Sequence, residues 1–292
     1  MQPRTDLALE CLDFAKDITP SGVLKEDFTQ NGIGVTRVKI ETEEGARLIG
    51  KPMGEYLTVE TSNFKTPTAD FENEVDAVAS LITSLLPANM DGAALVVGLG
   101  NRDITPDALG PKAAEYILAT RHISTELASE IGLDGLRPVA AMAPGVLGQT
   151  GIETAEIVSS VASGLSPSVV IVIDALAAKS VDRLATTVQI SNAGIAPGSG
   201  VQNTRKELSS HTLGVPVISV GVPMVVDMTT VAYDMLGEGN TSEKVSDKGR
   251  AMMVTPREID VTVEHAAKTV AFGINRALQP SLSLEVLTGL AG

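Results

Sequence analysis

One cysteine, Cys11, is all the chain has in 292 residues, so no disulfide can form within it and a reducing, cytosolic setting is expected. Basic residues are also scarce. Against 36 Asp plus Glu there are 22 Lys plus Arg, a formal charge of -14, which repels phosphate backbones and excludes nucleic acid as a direct partner. No apolar run reaches the ~18 residues of a membrane span, because the longest candidate, GVPVISVGVPMVV, is broken by Pro216 and Pro223. No signal peptide is visible either. His122, His211 and His265 show no mutual ligand spacing, and without a His-Glu-x-x-His motif or a Cys cluster the sequence offers no protein-built zinc site. A serine hydrolase is disfavoured because no Gly-x-Ser-x-Gly elbow occurs; Ser199 sits in Gly-Ser-Gly.

What is present is a chain with 43% hydrophobic residues, long enough to bury a sizeable core. A short helix is expected around Leu7 to Phe14. Alternation from Val35 to Ile40, a turn at Gly45 and an extended piece from Tyr56 to Thr61 predict a hairpin or meander over 33–61, set beside the main sheet as an appendage. Val75, Val78, Leu81, Ile82, Leu85 and Leu86 follow helical spacing. Beyond them strands and helices alternate: strands at Ala94 to Gly98, Pro138 to Met142, Val169 to Ile173, Thr186 to Ile190 and Val215 to Val220, and helices after Pro111 and over Glu153 to Ala162. That alternation predicts an α/β fold with a mostly parallel sheet and helices on both faces. Pro223 is expected to start a helix that Gly237 ends, and 237–254 to be a mobile loop. A capping box of Thr255 and Glu258 is expected to open a final long helix ending near Leu278. Residues 7–292 are expected to form one domain.

The chemistry gathers in two stretches. VVGLGNRDITPDALGP, Val96 to Pro111, leaves a buried strand through glycines into a loop carrying Asp107. VVIVIDALAAKS ends its apolar run abruptly in Asp174. Two carboxylates at the carboxyl ends of parallel strands would face one crevice of an open sheet, and a shared site would let one act as base and the other as acid. Each could instead cap a helix start. The turn Gly98-Leu99-Gly100 resembles the start of a dinucleotide fingerprint, but Asp103 stands in place of the third glycine and would repel a pyrophosphate. Lys179, Arg183 and Arg205 are cations that could neutralise the cluster or bind a substrate carboxylate. The glycine-rich run Asn192 to Arg205 suggests a loop shaped around a ligand or a neighbouring subunit.

Beyond these two stretches, RTDLALE, TRVKIET, GKPMGEYLTVE, GVLGQTGIETAEIV, GIAPGSGVQNTRKEL and TLGVPVISVGVPMVVD complete a pattern spanning nearly the whole chain. It resembles the spore germination proteases of endospore-forming bacteria. The resemblance implies a homotetrameric endopeptidase of the spore core that degrades small acid-soluble spore proteins and is made as an inactive precursor. No cofactor is expected, with a metal left open. The resemblance also implies a fold similar to the hydrogenase maturation proteases, phosphorylase-like in outline, and a catalytic pair in the aspartates of TPDALGP and DALAA, here Asp107 and Asp174. Two positions depart from the pattern: Gln202 stands where glycine is expected, and Asn192 where an Asp-Thr-Gly run is expected. The extension before RTDLALE, Met1 to Pro3, is shorter than is typical. Thr5-Asp6-Leu7-Ala8-Leu9-Glu10 itself resembles the family's substrates, which implies self-cleavage after Asp6, with 1–6 as a propeptide and Leu7 as the new terminus. A helix cap at Thr5 or Asp6 is the plainer alternative. Two further functions compete, a metal-assisted protease in which Asp107 and Asp174 hold a cation and a non-catalytic peptide-binding protein.

Overall fold

The computed structural model describes residues 5–13, 21–62, 64, 70–130, 132–196, 206–236 and 245–291. In chain order the strands are β1 (Val23–Gln30), β2 (Ile33–Ile40), β3 (Gly54–Glu60), β4 (Ala94–Gly98), β5 (Val139–Met142), β6 (Val169–Ala178), β7 (Thr187–Ser191), β8 (Val217–Asp227) and β9 (Met253–Val254). The helices are α1 (Ala8–Asp13), α2 (Glu43–Ile49), α3 (Phe71–Leu85), α4 (Leu109–Glu115), α5 (Thr125–Glu130), α6 (Leu147–Thr150), α7 (Thr154–Leu165), α8 (Ser210–Leu213), α9 (Met228–Leu236), α10 (Asp247–Arg250), α11 (Ile259–Leu278) and α12 (Leu284–Ala291).

Among the described residues one sheet runs β1-β2-β3-β7-β8-β6-β4-β5, with β9 paired to β8. The pairings β8–β6, β6–β4 and β4–β5 are parallel. The other five, from β1–β2 through β7–β8 and including β8–β9, are antiparallel. The α/β class is as expected; a mostly parallel sheet describes the half that carries Asp107 and Asp174, while the whole sheet is mixed and mostly antiparallel in its pairings. The reason is the meander: β3 uses its second edge to pair with β7, Glu60 opposite Thr187, so 33–61 is part of the main sheet and not an appendage beside it.

The parallel half is buried on both faces, as an apolar run such as Val169 to Ile173 requires. Val96, Ile171 and Ile173 pack with Val78 and Ile82 of α3, Leu109 of α4 and Val270 and Ile274 of α11. Leu95, Val97, Val170 and Val172 point the other way, onto Val158 and Ala162 of α7. Helices therefore cover both faces, as period-two alternation within these strands dictates.

Several boundaries differ from the sequence-based expectation. Gly45 lies inside α2, which Thr42 caps by accepting the Gly45 N–H at 3.1 Å and which Gly50 ends at φ 73°. The hairpin turn of the meander is Asn31–Gly32 instead, both with positive φ (51° and 79°). Pro223 starts no helix. It sits in β8 opposite Leu176, where the register with β6 shifts, and a bulge tolerates a residue that has no N–H to give. The helix start belongs to Asp227, whose Oδ1 accepts from Thr229 and Thr230 N–H at 2.7 and 3.2 Å. Thr255 and Glu258 form no capping box; the Thr255 hydroxyl turns to the Pro256 carbonyl, and α11 starts at Ile259 without a side-chain cap. Of the stretch 237–254, residues 237–244 lie outside the described residues, while α10 and β9 give the remainder regular structure.

Candidate active site

Asp107 owes its place to three glycines. A Cβ at Gly98 would lie 2.0 Å from the Gly110 carbonyl oxygen, and one at Gly110 would lie 2.2 Å from that of Leu99, so bare backbone lets α4 dock on the end of β4. Gly100, at φ +114°, packs so closely that a Cβ there would sit 2.0 Å from the Asp107 carbonyl oxygen. Around it the turn Thr105–Asp107, a 3-10 helix with Pro106 in its first positions, folds back. The Asp107 carboxylate accepts the Asn101 N–H at 2.8 Å. The Leu99 N–H donates to the Ile173 carbonyl at 2.8 Å, which ties this exit loop to the residue before Asp174.

Asp174 does not end its strand or cap a helix as the sequence suggests: β6 continues through it to Ala178, because Ala175 to Ala178 go on pairing with β8. It is 6% exposed, and its carboxylate accepts the Ala175 N–H at 3.0 Å. Across the sheet it is level with Gly221 of β8, which is itself level with Gln189 of β7. Over this row lies a cavity of about 200 Å³ lined by Asp6, Lys51, Tyr56, Asp174, Gln189 and Glu207 among others. Burial pushes the Tyr56 phenol well above its ordinary pKa, and its hydroxyl donates to the Pro52 carbonyl at 2.8 Å.

Of the segment Thr5 to Glu10, Asp6 lines that cavity. Asp6 N–H donates to the Ala177 carbonyl at 2.8 Å, and the Ala177 N–H returns a bond to the Asp6 carboxylate at 2.9 Å. Gln189 bridges two points of the segment: its amide donates to the Asp6 carbonyl at 3.1 Å and accepts the Ala8 N–H at 2.8 Å. Leu7, with no exposed surface, packs on Leu176, Ala178, Val226 and Val231. Glu10, 2% exposed, accepts the Lys179 and Ser180 N–H groups at 2.7 and 2.9 Å and the Thr5 hydroxyl.

Of the residues singled out in the sequence, Asp6 and Asp174 share this cavity. Asp107 stands on the adjoining loop and is not among the residues lining it. Asp103 lines a second cavity, of about 490 Å³, beyond β4 and β5, where its carboxylate accepts from Gln149 at 3.0 Å. Lys179 meets the segment through its backbone, and Arg183 pairs with Glu60 at 2.9 Å on the surface. Arg205, Ser199 and Gln202 lie outside the described residues. Asn192 accepts the Glu55 N–H at 2.9 Å and so serves the meander edge. Among the described residues no group of three or more His, Cys, Asp or Glu side chains converges as a metal ligand set. No described helix is long and apolar enough to cross a membrane.

Sequence reasoning passed over Lys51, Tyr56 and Gln189. The signal for Gln189 was available: Thr187, Gln189 and Ser191 are polar at every second position of a strand that is buried throughout. A buried polar row in a strand needs partners.

Residues 12–237 match the family model described as germination protease. Over 96% of its length the chain is 43% identical to the germination protease of Caldanaerobacter subterraneus subsp. tengcongensis, covering 95% of that protein. It is 39% identical to the one from Clostridium tetani, covering 98% of each, and 36% identical to the one from Priestia megaterium, covering 97% of this chain and 95% of that one. The fold is also similar to the crystal structure of a [NiFe] hydrogenase maturation protease, HycI, from Thermococcus kodakarensis KOD1, with a TM-score of 0.40 and 15% identity over 68% of this chain and 98% of that one. With a family model covering most of its length and near-full-length relatives at this identity, the chain belongs to the germination protease family and is an endopeptidase of spore germination.

Proposed function

We propose that this endopeptidase cuts small acid-soluble spore proteins in the spore core, acts as a homotetramer, and is made as a precursor that processes itself after Asp6. Asp107 and Asp174 are its acid and base: one carboxylate takes a proton from water as the oxygen attacks the peptide carbonyl, and the other gives a proton to the departing nitrogen. No cofactor enters this chemistry. The substrate class and the tetramer are carried over from the resemblance of the sequence to the family. The self-processing has an observation of its own in support, since Asp6 and Asp174 line one cavity and the substrate-like segment is bonded to β6 at Ala177.

The plainer reading of the segment as a capped helix start has support in Thr5, whose hydroxyl accepts the Leu7 N–H at 3.0 Å. The two are compatible, because a cap fixes the segment and does not protect the bond between Asp6 and Leu7. Cleavage of a purified small acid-soluble spore protein by processed enzyme, with and without exhaustive chelation, tests the function. Cleavage unaffected by chelation and lost in Asp107→Asn and Asp174→Asn is expected. Loss on chelation with return on adding metal would favour the metal-assisted version, and no cleavage by processed enzyme would leave a peptide-binding protein.

A further inference from the structure

We propose that the place now held by Asp6 is the subsite for the acidic residue that precedes the cut bond, with Lys51 and the Ala177 amide reading its side chain and Gln189 holding its carbonyl. This rests on the reading of Thr5 to Glu10 as the chain's own substrate.

Asp6 is enclosed, and so is the cation facing it; their side chains are 13% and 15% exposed. One carboxylate oxygen accepts the Ala177 N–H at 2.9 Å, while the other lies 4.0 Å from Lys51 Nζ. Among the described residues lining the cavity, Lys51 is the cation, set among the carboxylates of Asp6, Asp174 and Glu207. A carboxylate taken out of water needs such donors, whereas a neutral amide in its place would turn an N–H2 toward Lys51 or toward the Ala177 N–H. The 4.0 Å separation leaves room for one more methylene, so glutamate fits the pair better than aspartate does.

The main chain is held just as specifically. Asp6 N–H bonds to the Ala177 carbonyl, which fixes the register of the bound segment on β6. Gln189 then brackets the bond between Asp6 and Leu7: Nε2 donates to the Asp6 carbonyl, the carbonyl of that bond, and Oε1 accepts from Ala8, two residues on. Gly221 separates Gln189 from Asp174 in the sheet register. A donor already resting on the carbonyl binds it more strongly as negative charge builds on the oxygen during attack by water, which makes Gln189 a catalytic residue. For another protein chain to bind in the same way, the end freed at Leu7 swings out of its apolar pocket, and cutting the Asp6 tether permits it.

The test uses processed enzyme and three peptides identical except for Glu, Asp or Gln before the cut bond. Wild type is expected to rank them Glu, Asp, Gln, with kcat/KM for Glu over Gln roughly 10- to 100-fold, the scale of a hydrogen bond to a charged group. Lys51→Met should remove most of that ratio and Lys51→Arg should keep it, with melting temperatures unchanged. Gln189→Ala and the isosteric Gln189→Glu should both lower kcat about 100-fold with KM little altered. A Glu-over-Gln ratio that survives in Lys51→Met, or kcat within a few-fold of wild type in both Gln189 variants, overturns the subsite alone. If wild-type chain yields no Leu7 terminus and cuts none of the peptides after the varied residue, the self-substrate reading fails and takes the subsite with it.

Discussion

The parallel and antiparallel halves of the sheet divide the labour differently. In the parallel half, β4 and β6 have every residue or nearly every residue buried and deliver Asp107 and Asp174 at or just beyond the level where β4 ends. In the antiparallel half, β1 exposes most of its residues, yet that half supplies Tyr56 and Gln189, with Lys51 on the turn before β3. The seam where β7 meets β8 brings the two together. The half with the deeper core carries the proposed acid–base pair and the Ala177 main-chain bonds to the segment, and the shallower half adds the side chains of Lys51 and Gln189.

The largest expected contrast between the halves is in stability. Gly98→Ala, in β4, pushes a Cβ into backbone of α4 and should cost about 3 kcal/mol or more, as overpacking against unyielding atoms does. Gly34→Ala, in β2, meets nothing nearer than Glu60 side-chain atoms at 3.8 Å and should stay within about 0.5 kcal/mol. Urea denaturation of both measures this, and equal losses would erase the distinction. Next in size is turnover. Asp107→Asn and Asp174→Asn should each lower kcat at least ~100-fold while leaving melting nearly unchanged, because Asn keeps an acceptor for the Asn101 and Ala175 N–H groups. A variant with near-normal kcat would leave that residue a purely structural role, holding the Asn101 N–H in the loop for Asp107 or the Ala175 N–H within β6 for Asp174.

Smaller effects probe how the segment and the helices are tied on. Glu10→Ala removes the buried carboxylate that joins α1 to the end of β6 by accepting the Lys179 and Ser180 N–H groups, and should cost about 1–3 kcal/mol. Thermal melts of the full chain read it. The smallest effect concerns Glu264 of α11. Partial burial acts to raise its pKa but is outweighed by hydrogen bonds from Tyr116 and Lys112 and by the charges of Lys112 and Lys268, leaving it at about 2 against an ordinary 4.5. The Tyr116 phenol is pushed up to about 12, chiefly by the same bond. Since the folded pKa is depressed, the stabilisation is present above about pH 4.5 and fades as the pH falls toward 2. The side chain is accessible, so it amounts to less than about 1 kcal/mol. Glu264→Gln should melt slightly below wild type at pH 6, and the two should converge near pH 2.

How much of this the sequence disclosed follows the same division. Val169 to Ile173 and Ala94 to Gly98 are legible because strands buried on both faces must be apolar throughout, and α3 and α7 because one face of each is apolar at helical spacing. Asp174 stands out because a carboxylate ending such a run needs a reason. β1 was hidden because VLKEDFTQ is an edge strand whose residues are mostly wet; its one signal was the Asn31–Gly32 turn that follows. Pro223 misled because its local preference for starting a helix is overridden by the bulge opposite Leu176. Gln189 and Lys51 could not be joined to Asp174 by spacing: the pairing of β3 with β7 unites segments about 130 residues apart, and no local pattern encodes it.

The most direct measurement is mass spectrometry of the purified full chain over time, at several protein concentrations, beside Asp174→Asn and Asp107→Asn. A bond whose Asp6 side lines the same cavity as Asp174 in the same chain should be cut at a rate independent of concentration, giving a Leu7 terminus in wild type, none in either variant, and activity that rises with the cut. Fully active enzyme that still carries the residues before Leu7, or a Leu7 terminus formed equally well without Asp174, would contradict the account.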